Sequence, residues 1–261
     1  MSESEPSVTE RYTDKNPTRR KLTVTPEEEP WEIRKQKAYI LLRRMYHAVR
    51  KPPPPSRELD VIVSHRYRVI VVAVPKAGSR SIIAAFSRSG EVEHLKGSLD
   101  KAMKRNPGYR TIAFVRNPWD RAYSCYNDKI ARLDKTLARA KRIAHHPGLW
   151  PYMGFTAYAE WLNTENGSDE KADGHWASQS VFFKRGGALR IDRIFQLEKL
   201  SASLDELRDL LGDPDFSLPR INVVSDLTGE ADRRRAVFDE RTRDLIARRY
   251  TEDIDLFEYS F

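Results

Sequence analysis

The chain has 261 residues with 46 lysines and arginines against 38 aspartates and glutamates, a net charge of +8, and a single cysteine, Cys125. This length suits one α/β domain with a tail, or at most two small domains, and one cysteine excludes an intramolecular disulfide or a multi-cysteine metal site and fits a reducing cytoplasm. No apolar run approaches the roughly 18 residues that span a bilayer, and the polar, acidic opening is unlike a signal peptide, so the sequence reads as a soluble, cytoplasmic protein.

The positive balance suits a polyanionic ligand, whether nucleic acid, a phosphate-rich cofactor, acidic polysaccharide or anionic lipid. It is equally what arginine-rich surface helices would give. Residues 1–24 carry few large apolar groups and read as a flexible tail. An N-terminal helix and proline-rich linker follow over 25–56, and the main domain covers 57–261. Thr25-Pro26-Glu27-Glu28 has the form of a capping box, while Pro30 moves the regular helix towards Trp31. Leu42, Met45, Tyr46 and Val49 then make one apolar stripe, with Arg34, Lys35, Lys37, Arg43, Arg44 and Arg50 around the rest. The expectation is that this stripe docks on the protein's own core; peripheral contact of residues 31–50 with a membrane surface is the other reading. Pro52–Pro55 ends the helix as a stiff spacer.

From about residue 60 strands and helices alternate. Val69–Val74 and Thr111–Val115 are apolar runs expected to be buried strands, the first parallel, and Arg193–Leu197 reads as a further strand. Helices are expected over about 79–88, Pro118–Arg142, Phe155–Asn163, Ser203–Leu211 and Glu240–Tyr250. Such alternation implies a parallel sheet with helices on both faces.

Two strand-to-helix corners carry chemistry. Val74-Pro75-Lys76-Ala77-Gly78-Ser79-Arg80-Ser81-Ile82 places backbone N–H groups at a helix N-terminus, where an anion is favoured. Gly78 permits close backbone approach, and Ser79 and Ser81 add hydroxyl donors. The loop lacks the second glycine and the Gly-Lys-Ser/Thr ending of a nucleoside-triphosphate loop. Phe114-Val115-Arg116-Asn117-Pro118-Trp119-Asp120-Arg121-Ala122-Tyr123-Ser124 repeats the geometry. Arg116 can fork onto a phosphate, and Ser124, two helical turns on, can share its face; an arginine merely pairing an acidic neighbour is the plainer alternative.

Together these corners resemble the paired signatures of sulfotransferases that use 3′-phosphoadenosine 5′-phosphosulfate (PAPS), most closely the carbohydrate branch related to chondroitin and HNK-1 epitope sulfotransferases. Blocks at Asp173–Gln179, Phe195–Leu200, Leu218–Asn222 and Tyr250–Tyr259 continue the likeness in order, over about residues 68–261. The resemblance implies a P-loop-like α/β fold and sulfuryl transfer from PAPS, without metal, to a hydroxyl of a carbohydrate or other acceptor. It implies that Lys76 touches the phosphosulfate bridge, that the backbone of Ala77, Gly78, Ser79, Arg80 and Ser81 with the two hydroxyls holds the 5′-phosphate, and that Arg116 and Ser124 hold the 3′-phosphate. Arg80 stands where the family usually has threonine or serine, which leaves its role open.

The acceptor hydroxyl must lose a proton, and histidine or glutamate is the usual base. His94 precedes Arg116 by 22 residues, a spacing that resembles the catalytic histidine of several sulfotransferase families. His175 lies in the His-Trp block of the carbohydrate branch. Both are candidates, with Glu93 and Glu198 behind them. His145-His146 lacks further ligands at metal spacing. Loops around 143–154 and 164–190, with Trp150, Tyr152, Phe155, Trp161, Trp176, Phe182 and Phe183, are expected to shape the acceptor site, and the positive balance suits an acidic acceptor. The rival readings are a P-loop-type nucleotide-dependent kinase and a non-enzymatic polyanion binder. Nucleic acid is not favoured, because no recognition helix, zinc finger or stacking motif occurs.

Overall fold

The computed structural model describes residues 31–49, 59–97, 99–131, 143–218 and 237–261. The expected tail, capping box, proline linker, the last part of the long helix begun at Pro118, and the Leu218–Asn222 block beyond Leu218 lie outside the described residues. The chain divides into two compact units, residues 1–52 with 126–154 and residues 53–125 with 155–261.

In the first unit, α1 runs over Trp31–Val49. Its buried face is not the expected one: Ile40 is 0% exposed, whereas Leu42 and Met45 are 66% and 68% exposed. Polar anchors on the Ile40 side explain the rotation. Arg44 Nη2 donates to the carbonyls of His146 at 2.8 Å and Leu149 at 2.7 Å, and the guanidinium lies 4.3 Å from the centre of the Trp150 ring. Gln36 Nε2 donates to the Tyr152 hydroxyl at 3.3 Å. Charge-assisted bonds of the Arg44 type contribute about 1.5–3 kcal/mol each, enough to set which face of a helix is held.

The second unit is built on β1 (Leu59–Ser64), β2 (Val69–Ala73), α2 (Ser79–Arg88), β3 (Val92–Gly97), α3 (Leu99–Arg105), β4 (Arg110–Val115) and the part of α4 (Pro118–Lys129) up to Cys125, then α5 (Phe155–Leu162), a short hairpin of β5 (Lys184–Arg185) and β6 (Ala188–Leu189), β7 (Arg193–Gln196), α6 (Leu204–Leu211), α7 (Glu240–Arg249) and α8 (Thr251–Leu256). Five strands form one sheet in the order β3-β1-β2-β4-β7. The expected strands β2, β4 and β7 are parallel; β1 runs against both its neighbours, β2 and β3. The four residues between β1 and β2 allow only a hairpin, since a parallel crossover needs a dozen or more.

Strand alternation loads both faces. Val61, Val63, Ile70, Val72, Ala113 and Val115 face Leu99 and Ala102 of α3, with Phe183 and Phe257. Ile62, Val69, Val71, Ile112, Phe114 and Phe195 face Ile82, Ala85 and Phe86 of α2 and Leu207 and Leu211 of α6. Each such side chain, fully buried, contributes about 1.5–3 kcal/mol, so the sheet is the rigid platform from which the loops project. The register pairs Ala73 with Phe114, so the turns after β2 and β4 leave the same sheet edge from neighbouring strands. That edge is where parallel α/β sheets bind ligands.

Candidate active site

The first corner is shaped by two left-handed residues. Lys76 has φ +70° and Gly78 has φ +71°, and between them the Ala77 N–H donates to the Val74 carbonyl at 3.1 Å. A non-glycine residue in this conformation costs about 1–2 kcal/mol and persists only where its surroundings impose it, a pattern concentrated at functional sites. Gly78 is the N-cap of α2, and its carbonyl accepts from Ser81 and Ile82. No side chain caps this helix, so its positive end is open to an anionic acceptor. Ser79 is half-buried, Ser81 buried and Arg80 exposed. A Cβ on Gly78 would stand 3.1 Å from Leu197 Cδ1. Gly78→Ala is therefore expected to destabilise the protein by roughly 1–2 kcal/mol, read as a thermal midpoint lower by a few degrees.

The second corner is N-capped by Asn117, whose Oδ1 accepts from the Trp119 N–H at 3.1 Å, with Pro118 at the first helical position of α4. Arg116 Nη1 donates to the Lys76 carbonyl at 3.3 Å, so the two corners touch. The backbone of Arg116 is clamped on both sides by Gln179: its N–H donates to Oε1 at 2.9 Å and its carbonyl accepts from Nε2 at 2.8 Å. Gln179 is held in turn by α8, because Asp253 accepts from the backbone N–H groups of Gln179 and Ser180 at 2.7 and 2.8 Å. Burial pushes the Asp253 carboxyl above its usual range, against the pull of these bonds. Glu198 accepts from the Asn117 N–H at 2.8 Å and from the Tyr259 hydroxyl at 3.0 Å. The downstream blocks of the sequence are thus the frame around Arg116. Ser124 is half-buried on α4.

Sequence reading assigned no role to Arg121 or Asp173, which complete the arrangement. Arg121 is 2% exposed and donates to three carbonyls: Pro75 from Nε at 3.1 Å, Ala177 from Nη1 at 2.7 Å and Gly174 from Nη2 at 3.2 Å. It ties the first corner to the turn at 173–177. In that turn Asp173 Oδ1 accepts from the His175 N–H at 2.9 Å and lies 2.5 Å from His175 Nδ1. A carboxylate can only accept from Nδ1–H, so in the neutral ring Nε2 is an acceptor. A quarter of the His175 side chain is exposed. A Cβ on Gly174 would come within 3.9 Å of the Pro75 ring, which sets His175 beside the first corner. Burial raises the Cys125 thiol pKa, and the same thiol feels both the Lys76 ammonium, which lowers it, and the Asp173 carboxylate, which raises it. The Arg121 bridge from Pro75 to Gly174, with the close approach of Gly174 to the Pro75 ring, places the Asp173–His175 turn beside the first corner.

His94 lies elsewhere. It is exposed on β3, two strands from β2, and its Nε2 stands 3.5 Å from Ser87 Oγ in the last turn of α2. Nine residues of helix, about 13 Å, separate Ser87 from Gly78. Glu93 pairs with Arg105. Of the aromatics expected to shape the acceptor site, Trp161, Trp176 and Phe183 are core residues, while Phe182 is half-buried and borders Gly174.

No curated protein and no solved structure matches the chain. A family model does: the sulfotransferase family matches residues 59–260, which contain both corners, the 173–179 turn and the α8 frame. With more than three quarters of its length matched, the chain belongs to the sulfotransferase family.

Proposed function

We propose that this protein transfers a sulfuryl group from PAPS to a hydroxyl of a carbohydrate acceptor. The observation that carries the reading is the contact between the corners. Arg116 and the Lys76–Ser81 loop sit close enough to grip the two ends of one doubly phosphorylated adenosine. The corners suit such a group: the uncapped N-terminus of α2 and the cation at position 76 favour the 5′ anion. When bound, PAPS supplies the sulfuryl group and a 3′-phosphoadenosine 5′-phosphate leaving group. Lys76 offsets charge gathering on the departing phosphate oxygen as its bond to sulfur breaks, and Arg116 with Ser124 holds the 3′-phosphate. His175 Nε2 takes the proton of the acceptor hydroxyl as its oxygen bonds to sulfur, and Asp173 fixes the ring and its tautomer. Sulfuryl transfer resembles phosphoryl transfer in its loose, in-line transition state, so positioned cations and a positioned base supply most of what a protein can add.

Calorimetric titration tests the nucleotide assignment. 3′-Phosphoadenosine 5′-phosphate is expected to bind without magnesium, and more tightly than adenosine 5′-phosphate. Arg116→Ala is expected to weaken the doubly phosphorylated nucleotide by about 10- to 100-fold and leave adenosine 5′-phosphate nearly unchanged, as loss of charge-assisted bonds to one phosphate requires. Equal losses for both nucleotides, or tighter binding of magnesium–ATP, overturn the assignment.

A further inference from the structure

The outward face of α1 has no part in the sulfuryl-transfer reading. Trp31, Ala38, Leu42 and Met45 follow one another at helical spacing along one face, flanked by Leu41 and Tyr46, and all six are exposed. The opposite face, with Ile40 and Gln36, is the one that packs. Two cations, Arg34 and Lys35, are exposed on the apolar face itself. Lys35 Nζ lies 5.7 Å from the Trp31 ring centre, and the Arg43 guanidinium 5.4 Å from that of Tyr46. Each end of the apolar stripe is thus closed by an aromatic ring with a cation beside it, the arrangement suited to a boundary that is oily on one side and anionic on the other. Over its length α1 carries Arg34, Lys35, Lys37, Arg43 and Arg44 against Glu32 alone, a net charge of +4.

We infer that α1 docks this protein onto an anionic phospholipid surface, lying in the plane of the membrane with the Trp31–Met45 stripe in the headgroup boundary. No helix among the described residues is long and apolar enough to cross a bilayer, so the helix lies on the membrane. Nineteen residues make a rod about 28 Å long, enough to bury the whole stripe at once. The sequence and the charges select this occupant over two others. The thirty residues ahead of the helix contain, as large apolar groups, only the scattered Met1, Val8, Tyr12, Leu22 and Val24, too few to match a six-residue stripe. In a second copy of the chain, a parallel pair would set Arg34 and Lys35 against their like, and an antiparallel pair would bury them against Leu42 and Met45. An anionic lipid surface accepts the stripe and both cations together.

Vesicle flotation of the full chain tests this. With vesicles of phosphatidylcholine containing roughly a third phosphatidylserine, bound protein is expected to exceed that on pure phosphatidylcholine about 10-fold, and raising the salt to molar strength should remove most of the difference. The double variant Leu42→Asp/Met45→Asp, at exposed positions, is expected to lose flotation by about 10-fold or more while binding 3′-phosphoadenosine 5′-phosphate as the parent does. Failure of the parent to float overturns the inference, and so does a double variant that floats equally well. A concentration-dependent dimer, abolished by the double substitution and seen without flotation, would instead assign the face to a second copy.

Discussion

Arg121→Met is expected to destabilise the protein by about 3–5 kcal/mol, the range found when one charge of a buried polar centre is removed. Methionine fills most of the space, so the loss does not come from a cavity. It comes from the carbonyls of Pro75, Gly174 and Ala177, which lose the Arg121 guanidinium at once around a side chain only 2% exposed. Arg121 also opposes the effect of burial on Asp253, whose carboxylate would remain enclosed without that cation. The measurement is urea unfolding with the parent slope retained and the midpoint lowered. Arg80→Met, at an exposed position in the first turn of α2, serves as control and is expected to change stability by no more than about 0.5 kcal/mol. Because Arg121 joins the Lys76 loop to the His175 turn, nucleotide affinity and turnover should fall together in the folded fraction. An Arg121→Met protein within about 1 kcal/mol of the parent would show that the three carbonyls find other donors.

What the sequence revealed and what it hid divide along the range of the interactions. The apolar runs of β2 and β4, and α2 at Ser79–Arg88, were legible because burial on both faces and helix initiation leave local patterns. The two strand-to-helix corners were legible for the same reason, since a turn, a helix start and one glycine act within a few residues. β3 escaped notice because it is an edge strand with only Val92 and Leu95 facing the core clusters. The clamps were not legible at all: Gln179 meets Arg116 across 63 residues and Asp253 across 74, and no period or propensity encodes such a pairing. His94 illustrates the converse. A spacing of 22 residues measures distance along the chain, and β3 carries that residue two strands away from the first corner. Periodicity likewise identified the stripe of α1 but not its direction, which Arg44 and Gln36 settle. The Asp173–His175 pair was within reach of the sequence: an aspartate accepting from the N–H two residues on is a common local turn.

His175→Ala is expected to lower kcat by about 10²- to 10⁴-fold, the usual contribution of a positioned general base, with nucleotide affinity changed less than about twofold. The split follows from geometry. His175 borders the first corner through Gly174 and Pro75, while the proposed nucleotide site is made of Lys76, the α2 N-terminus and Arg116. A residue that merely props the turn would disturb binding and turnover alike. Two further readouts separate the roles. The acid limb of the kcat profile, where the parent loses activity by protonation of its imidazole, should vanish in His175→Ala, and added imidazole should restore part of the rate. Asp173→Asn keeps the size of the side chain but no longer dictates the Nδ1–H tautomer, so it should lower kcat by about 10- to 100-fold while retaining the acid limb. His94→Ala, on the exposed edge strand beside Ser87, should leave kcat near the parent value. A loss at His94 larger than that at His175 would require the sheet edge at β3, and not the turn at 173–177, to present the base to the acceptor.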